Sequence, residues 1–391
     1  MLLASRWRVS PAVLALGLGL TLGRPGLALI QPQLSEDGGS QVETVCQIAL
    51  LTSLFCVGLR LQTPFEWGRW RASLRLSLLS LPVAWALTVA AAKTLFDVSI
   101  LQAVLIASVL APTDALLATD AAGAAGAEAA GDPELAAGTA LAAEGAFSSA
   151  LAVPVVGAVL GLMGLESKDS GSIGWLALGS LWATAGGLAA GAAIGAGMSR
   201  WIALLDFDRQ TDVLEILVVF TTAGLAYGAA EAIHTSGFVA VVAAGLALAH
   251  GGRLRSRGRQ RALTPRVLKV AGRVERAAAL FVVVLLGAMA SEMDFRFRAF
   301  AFAALLLALI RPLAVRLGLG ATTVHRKQLE WIGVRGTASL YCLAFAMNHG
   351  LGNRFGHQLV GITLLVVAGS IIAHGLSATP VQTASPGALS S

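Results

Sequence analysis

Apolar stretches long enough to cross a hydrocarbon core as helices, roughly 20 residues each, recur along the chain and are separated mostly by short polar segments. The pattern predicts twelve spans, at about 11–30, 45–61, 72–92, 98–119, 136–163, 172–197, 211–230, 236–250, 278–290, 299–319, 331–349 and 358–379. Forty-four glycines and many alanines stand where a barrel would alternate aromatic and polar positions. The spans are therefore expected to be helices whose backbones approach closely. In the first span, Arg6 and Arg8 before an apolar run also resemble a signal peptide. The run continues past Arg24 and Pro25 to Ile30 without a clear small-residue cleavage site, which favours a retained helix.

Composition agrees with this reading. Of 391 residues, 56% are hydrophobic and 13% charged, against roughly 25% charged in soluble domains, and no separate soluble domain has room. The expectation is an all-α integral membrane protein forming one transmembrane domain. Cys46, Cys56 and Cys342 lie in apolar segments, and their odd number gives no disulfide framework. Cys46 and Cys56 are separated by about 15 Å of helix, too far to bridge; all three read as small buried hydrophobes.

Charge sets direction. With the N-terminus inside, twenty Lys and Arg fall in cytoplasmic segments and five on the opposite side, so both termini are expected to be cytoplasmic. Nine of the twenty lie between Arg253 and Arg276. This loop supplies most of the net charge of +6 and reads as a topology determinant beside an anionic leaflet, with a specific lipid-headgroup site as the alternative; it gives little support to nucleic-acid binding. Asp120, Glu128, Asp132 and Glu134 form an acidic connector on the same side. Arg24, Arg311 and Arg335 remain within spans.

An ionisable group in mid-membrane costs roughly 2.5–3.5 kcal/mol on insertion scales, so each is a functional candidate. In span four, Pro112 removes a backbone donor and biases Ala111 away from helix. The helix should unwind there, exposing carbonyls and aiming a half-helix N-terminus inward beside Thr113 and Asp114, an arrangement able to bind an ion. Span eleven carries a second break, where Gly333 and Gly336 bracket Arg335. Spans four and eleven are seven apart and so run in opposite directions, which suggests an inverted repeat of spans three to five and ten to twelve. Glu144 in span five and Arg311 in span ten are expected to neutralise each other as a structural pair, with Glu144 and Arg335 as the second choice.

These residues together resemble the bacterial sodium/proton exchanger branch of the monovalent cation:proton antiporter superfamily. The similarity runs through Ile48 to Phe55 with Gly58-Leu59, Ala111-Pro112-Thr113-Asp114, Gly237 to Val241 with Ala244-Gly245-Leu246, Arg311-Pro312-Leu313, Gly333 to Leu340, and His374 to Pro380. The resemblance implies a homodimer that exchanges a monovalent cation for protons by alternating access, sodium first, with potassium or lithium as alternatives. It implies an ion-carrying core at about 72–163 and 299–379, an interface part at about 11–61 and 211–290, a linker helix at 172–197 and a short cytoplasmic tail at 380–391. Thr113 and Asp114 then correspond to the family's unwound Thr-Asp pair, Glu144 to its ion-pairing Glu, and Arg311 and Arg335 to its buried arginines. No cofactor and no metal beyond the transported cation are implied; the membrane lipids are the other partner.

One position departs from the branch. Where it carries Asn-Asp after the span-five Glu, and where that Asp is the main cation and proton carrier, this chain has Ser148-Ser149. A serine hydroxyl ligates sodium but does not hold an exchangeable proton near neutral pH. The reading is therefore a proton-coupled antiporter of a prokaryotic inner membrane with Asp114 as the remaining carrier and Ser148 and Ser149 beside it. The alternatives are a relative without proton coupling that acts as a cation-binding, regulatory or structural membrane protein, or a carrier of another solute. An enzyme is not expected, since no nucleophilic triad, phosphate-binding loop or metal-ligand spacing occurs. His234, His250, His325, His349 and His357 fall at span ends, and His374 inside the last span is expected to make a structural hydrogen bond. Trp7, Trp67, Trp70, Trp201 and Trp331 fall where interfacial anchors belong.

Overall fold

The computed structural model describes residues 10–32, 34, 39–61, 75–121, 133–165, 173–204, 212–254, 265–319, 326–352 and 354–382. Several residues named or counted above lie outside the described residues: Arg6, Arg8, Trp7, Trp67 and Trp70, the basic residues Arg69, Arg71, Lys168 and Arg209 of the charge count, Glu128, Asp132, His325, the arginines of 255–261 and the end of the tail from 383 onward.

The described residues form α1 (Pro11–Leu22), α2 (Gly39–Arg60), α3 (Leu81–Phe96), α4 (Ile100–Leu110), α5 (Ala115–Ala121), α6 (Pro133–Leu162), α7 (Ile173–Leu204), α8 (Asp212–Ala232), α9 (Gly237–Leu254), α10 (Pro265–Ala288), α11 (Phe297–Leu305), α12 (Arg311–Leu319), α13 (Arg326–Trp331), α14 (Thr337–Asn348) and α15 (Arg354–Gln382), with no strand among them. Among the described residues, six segments are long and apolar enough to cross a membrane: Gln41–Arg60, Leu76–Phe96, Ala140–Leu162, Gly179–Ile202, Phe297–Leu319 and Arg354–Leu376. The chain is a multi-pass helical membrane protein. Boundaries shift from those expected in three places. Helix α1 stops at Leu22, α2 starts at Gly39 rather than near 45, and α10 starts at Pro265 rather than near 278; the fourth and eleventh apolar stretches are each divided between two helices, at the positions where breaks are expected.

Local chemistry explains several of these ends. Ser10 caps α1 with Pro11 at its first position. Ser99 and Gln102 form a reciprocal capping box that starts α4, just after Asp97 ends α3 in the left-handed conformation. Two wide π-helical turns, Leu76–Ser80 and Leu306–Ile310, stand immediately before the Leu81-Pro82 and Arg311-Pro312 pairs. A proline ring clashes with the carbonyl four residues earlier, and a wider turn removes that clash without breaking the rod. The first of these turns packs on α12, where a methyl group added at Gly318 would lie 2.0 Å from the Ser80 hydroxyl.

Small residues set the packing. The most extensive helix pairing is α7 on α9, where methyl groups at Gly191 and Gly195 would lie 2.0 and 2.3 Å from the Ala240 and Ala244 carbonyl oxygens. Gly58 meets Gly245 between α2 and α9, and Gly19 meets Gly287 between α1 and α10. With lipid on the outside, helix association depends on such close backbone approach rather than on escape from water. Toward one end of α14, Asn348 donates to Glu43 of α2, Gln47 bonds the Tyr227 hydroxyl of α8 at 2.6 Å, and the Phe238 and Tyr341 rings are 4.9 Å apart. Cys46, Cys56 and Cys342 are buried and free.

Candidate functional site

Both interruptions meet at one place. The chain leaves α4 after Leu110 and re-enters helix at Ala115; it leaves α13 after Trp331 and re-enters at Thr337. The two non-helical segments are joined by a backbone hydrogen bond from Asp114 N–H to the Val334 carbonyl, 2.8 Å.

Asp114 is buried and accepts from both half-helices that start here. Its Oδ1 takes the Leu117 N–H of α5 at 3.0 Å, and its Oδ2 takes the Thr337 N–H and hydroxyl of α14, both at 3.1 Å. One carboxylate thus caps two helix N-termini, where the helix dipole favours negative charge. Gly336 permits this approach, because a methyl group there would lie 2.5 Å from Oδ2. At the opposite polarity, Arg335 donates through Nε to the Leu110 carbonyl, at the C-terminal end of α4. Its backbone N–H is held by the Ser370 hydroxyl of α15 at 2.9 Å.

Thr113 is held by α6. Its N–H donates to the Ser148 hydroxyl at 3.2 Å, and its carbonyl accepts from the Ser149 hydroxyl at 3.2 Å. Ser148 also donates to the Gly145 carbonyl at 3.1 Å and sits 3.4 Å from the Thr113 hydroxyl. The adjacent serines therefore satisfy both backbone groups of one unwound residue, an obligation that any break inside a membrane creates. Close packing of α6 on α5 requires Gly145, where a methyl group would lie 2.9 Å from the Ala115 Cα.

Glu144, one turn before Ser148 on α6, meets Arg311 in a two-pronged pair. One prong is Nη1 to Oε1 and the other is Nη2 to Oε2 at 2.8 Å, with Nη2 also 3.1 Å from the Ile332 carbonyl. Gly333 lies against this guanidinium, 3.0 Å from its Nε to a methyl group placed there. His374 of α15 spans the Ser370 and Trp331 carbonyls at 2.7 and 2.8 Å, closing the ring around the second break.

Pro112, Thr113, Asp114, Ser148, Ser149, Gly336 and Arg335 thus surround one crossing, with Glu144, Arg311 and Gly333 packed next to it. His374 makes structural hydrogen bonds as expected, whereas Thr337 and Ser370, and the place of His374 beside the second break, are not named by sequence reasoning. Thr337 had a signal, since it is the first hydroxyl residue after a glycine-bracketed break; the other two act through a helix that sequence spacing does not bring near. Among the described residues no group of three or more His, Cys, Asp or Glu is placed to hold a metal.

A helical membrane protein whose broken helices cross around a buried carboxylate has the architecture of an ion-coupled secondary transporter. Residues 1–384 match the family described as sodium/hydrogen exchanger, transmembrane, and the chain belongs to that family. It is a family of transporters, not of enzymes, and its substrates are a cation and the proton. A search of curated proteins gives no match. Among solved structures, the sodium proton antiporter MjNhaP1 from Methanocaldococcus jannaschii at pH 8 superposes with a TM-score of 0.74 at 19% identity, over 98% of this chain and 94% of that one. The electron-microscopy structure of the same antiporter gives 0.73 at 18% identity, over 95% and 90%. The fold is that of this antiporter.

Proposed function

We propose that the protein exchanges a monovalent cation for protons by alternating access, with sodium the first candidate, potassium or lithium the alternatives, and Asp114 the carrier. One observation carries this reading. Of the two buried acids at the crossing, Glu144 is committed to Arg311, whereas Asp114 sits among hydroxyls, backbone N–H groups and an unwound carbonyl. A sodium ion arriving here would draw oxygen ligands from the Asp114 carboxylate, the Thr113 carbonyl and the Ser148 and Ser149 hydroxyls, while Glu144, Arg311 and Arg335 hold the breaks in shape. Proton exchange would then fall to Asp114, because the serines cannot carry the proton.

Family membership supports the wider frame of this reading: a homodimer in a prokaryotic inner membrane, termini cytoplasmic, with a core of about 72–163 and 299–379 moving against an interface part of about 11–61 and 211–290 beside the 172–197 linker. The Glu43–Asn348 bond and the Phe238–Tyr341 contact join α14 of that core to α2 and α9 of the interface part, so they must part whenever that seam opens.

A second reading is favoured by charge. The formal charges of Asp114, Glu144, Arg311 and Arg335 cancel, so a bound cation would leave the centre one unit positive, whereas a carboxylate at 149 would keep it neutral; the uncharged Ser149 suits a relative without proton coupling. Inverted vesicles from a strain lacking its own antiporters separate the two. Added sodium, potassium or lithium should collapse an imposed pH gradient above the empty-vector level, and Asp114→Asn should abolish the effect. Folded, inserted protein that gives no collapse at any pH would sink the exchange reading in favour of the second.

A further inference from the structure

Helix α10 begins with three turns whose exposed and buried faces differ in kind. Val267, Ala271 and Glu275 face inward, where Glu275 is held by the Ser53 hydroxyl at 3.1 Å and the Arg60 guanidinium at 2.6 Å. Lys269 and Arg273 are exposed on the other side. Farther along that same face the exposed residues turn apolar, through Val274, Ala277 and Phe281. The face therefore has a cationic end and an apolar extension.

Contacts fix the height of this face in the membrane. The Cys56 thiol donates to the Ala271 carbonyl at 3.5 Å, so Ala271 lies level with Cys56 on the neighbouring α2. Cys56 precedes Arg60, the end of the apolar span Gln41–Arg60, by about 6 Å at a helical rise of roughly 1.5 Å per residue. Lys269 and Arg273 flank Ala271, so their backbones lie about 3 and 9 Å inside the end of that span, within side-chain reach of the phosphates and glycerol esters. Phe281 lies about 12 Å deeper than Arg273 by the same rise, alongside acyl chains. Long basic side chains at that height extend toward the interface and attract anionic headgroups.

We propose that this face of α10 is a docking surface for one anionic glycerophospholipid of the adjacent leaflet, its phosphate held by Lys269 and Arg273 and one acyl chain lying along Val274, Ala277 and Phe281. The occupant follows from the order of chemistry on the face, charge at the interface and hydrocarbon below it. A soluble phosphate would use the first part alone. The site stands apart from the crossing around Asp114 and does not depend on what the protein transports.

The test uses the full-length protein in nanodiscs of phosphatidylcholine with and without phosphatidylglycerol, reading thermal stability and, by native mass spectrometry, lipid retained after delipidation. Phosphatidylglycerol should raise the melting temperature of the wild type and remain bound. Neutralising both groups, as Lys269→Gln with Arg273→Gln, should weaken retention about thirtyfold at roughly 1 kcal/mol per basic group. Removing two cytoplasmic-end charges elsewhere, Arg75→Gln with Arg200→Gln, should leave retention unchanged, and Phe281→Ala should reduce it with both charges intact. Equal loss in the two charge-neutralised proteins would overturn the proposal in favour of diffuse surface charge. Stabilisation by soluble glycerol 3-phosphate to the same extent, or no preference for phosphatidylglycerol in a protein that melts normally in phosphatidylcholine, would overturn it as well.

Discussion

At the level of single residues, the centre of the molecule is a problem in satisfying broken backbone. Ser148 and Ser149 answer it with hydroxyls that receive the Thr113 N–H and donate to its carbonyl, and they add no charge. Ser149→Asp would place a carboxylate where that donor stands and add one negative formal charge to a cancelling set. Cation-dependent proton flux in vesicles should rise several-fold over wild type, and unchanged flux would show that Asp114 sets coupling alone. The Glu144–Arg311 pair gives a second expectation. Glu144→Gln leaves a buried guanidinium without its counter-charge, which costs about 3–5 kcal/mol, so the melting temperature should fall sharply. Adding Arg311→Met should recover much of it, because removing both charges of a buried pair is far less costly than removing one.

Elements are held by the spacing of their glycines, and here two positions that look alike in sequence behave oppositely. At Gly191 a methyl group would strike the Ala240 carbonyl at 2.0 Å, whereas at Gly224 on α8 it would meet no neighbouring atom. Gly191→Ala should destabilise by about 1–3 kcal/mol through overpacking, while Gly224→Ala should be neutral or stabilising by up to about 1 kcal/mol of helix propensity; thermal melts of the two side by side decide it. The same contrast marks what could be read in advance. The multi-pass helical class and an interruption of helix at Pro112 were legible, because hydrophobic length and proline chemistry are local. The start of α10 at Pro265 was not, since its first turns carry charge on the outer face and bury Val267, Ala271 and Glu275 on the other, a division visible only once α2 lies alongside. Nor were the π-turns before Pro82 and Pro312, because a helix can answer the clash of a proline ring with the carbonyl one turn earlier by kinking or breaking as well as by widening. At the crossing, Asp114, Thr113 and Arg335 could be named from sequence, but Thr337 lies 223 positions from the Asp114 it binds, and Ser370 meets the Arg335 N–H through a helix that only the fold brings close.

For the molecule as a whole, the end opposite the basic loop carries a titrating group of its own. Glu292 sits in the short turn between α10 and α11, where partial burial pushes its carboxyl above the ordinary glutamate range while Arg24 and His357 draw it back. A raised carboxyl pKa means that the folded protein binds the proton more readily than the unfolded chain. Its contribution to stability is therefore full at pH below the unfolded value of about 4.5 and is lost as pH rises through the folded one. Glu292→Gln should flatten that part of the stability profile, with little change at pH 4; a profile identical to wild type would assign the pH dependence elsewhere.

The double cap formed by Asp114 has a mechanical corollary. A carboxylate that grips Leu117 with one oxygen and Thr337 with the other works as a rivet between two rods, and the Asp114–Val334 bond is a second rivet beside it. Two rivets suppress both sliding and pivoting, so α5 and α14 must travel as one stiff piece. A pair of spin labels placed on those two helices should report a single narrow distance under every ionic condition, even as their distances to α2 change.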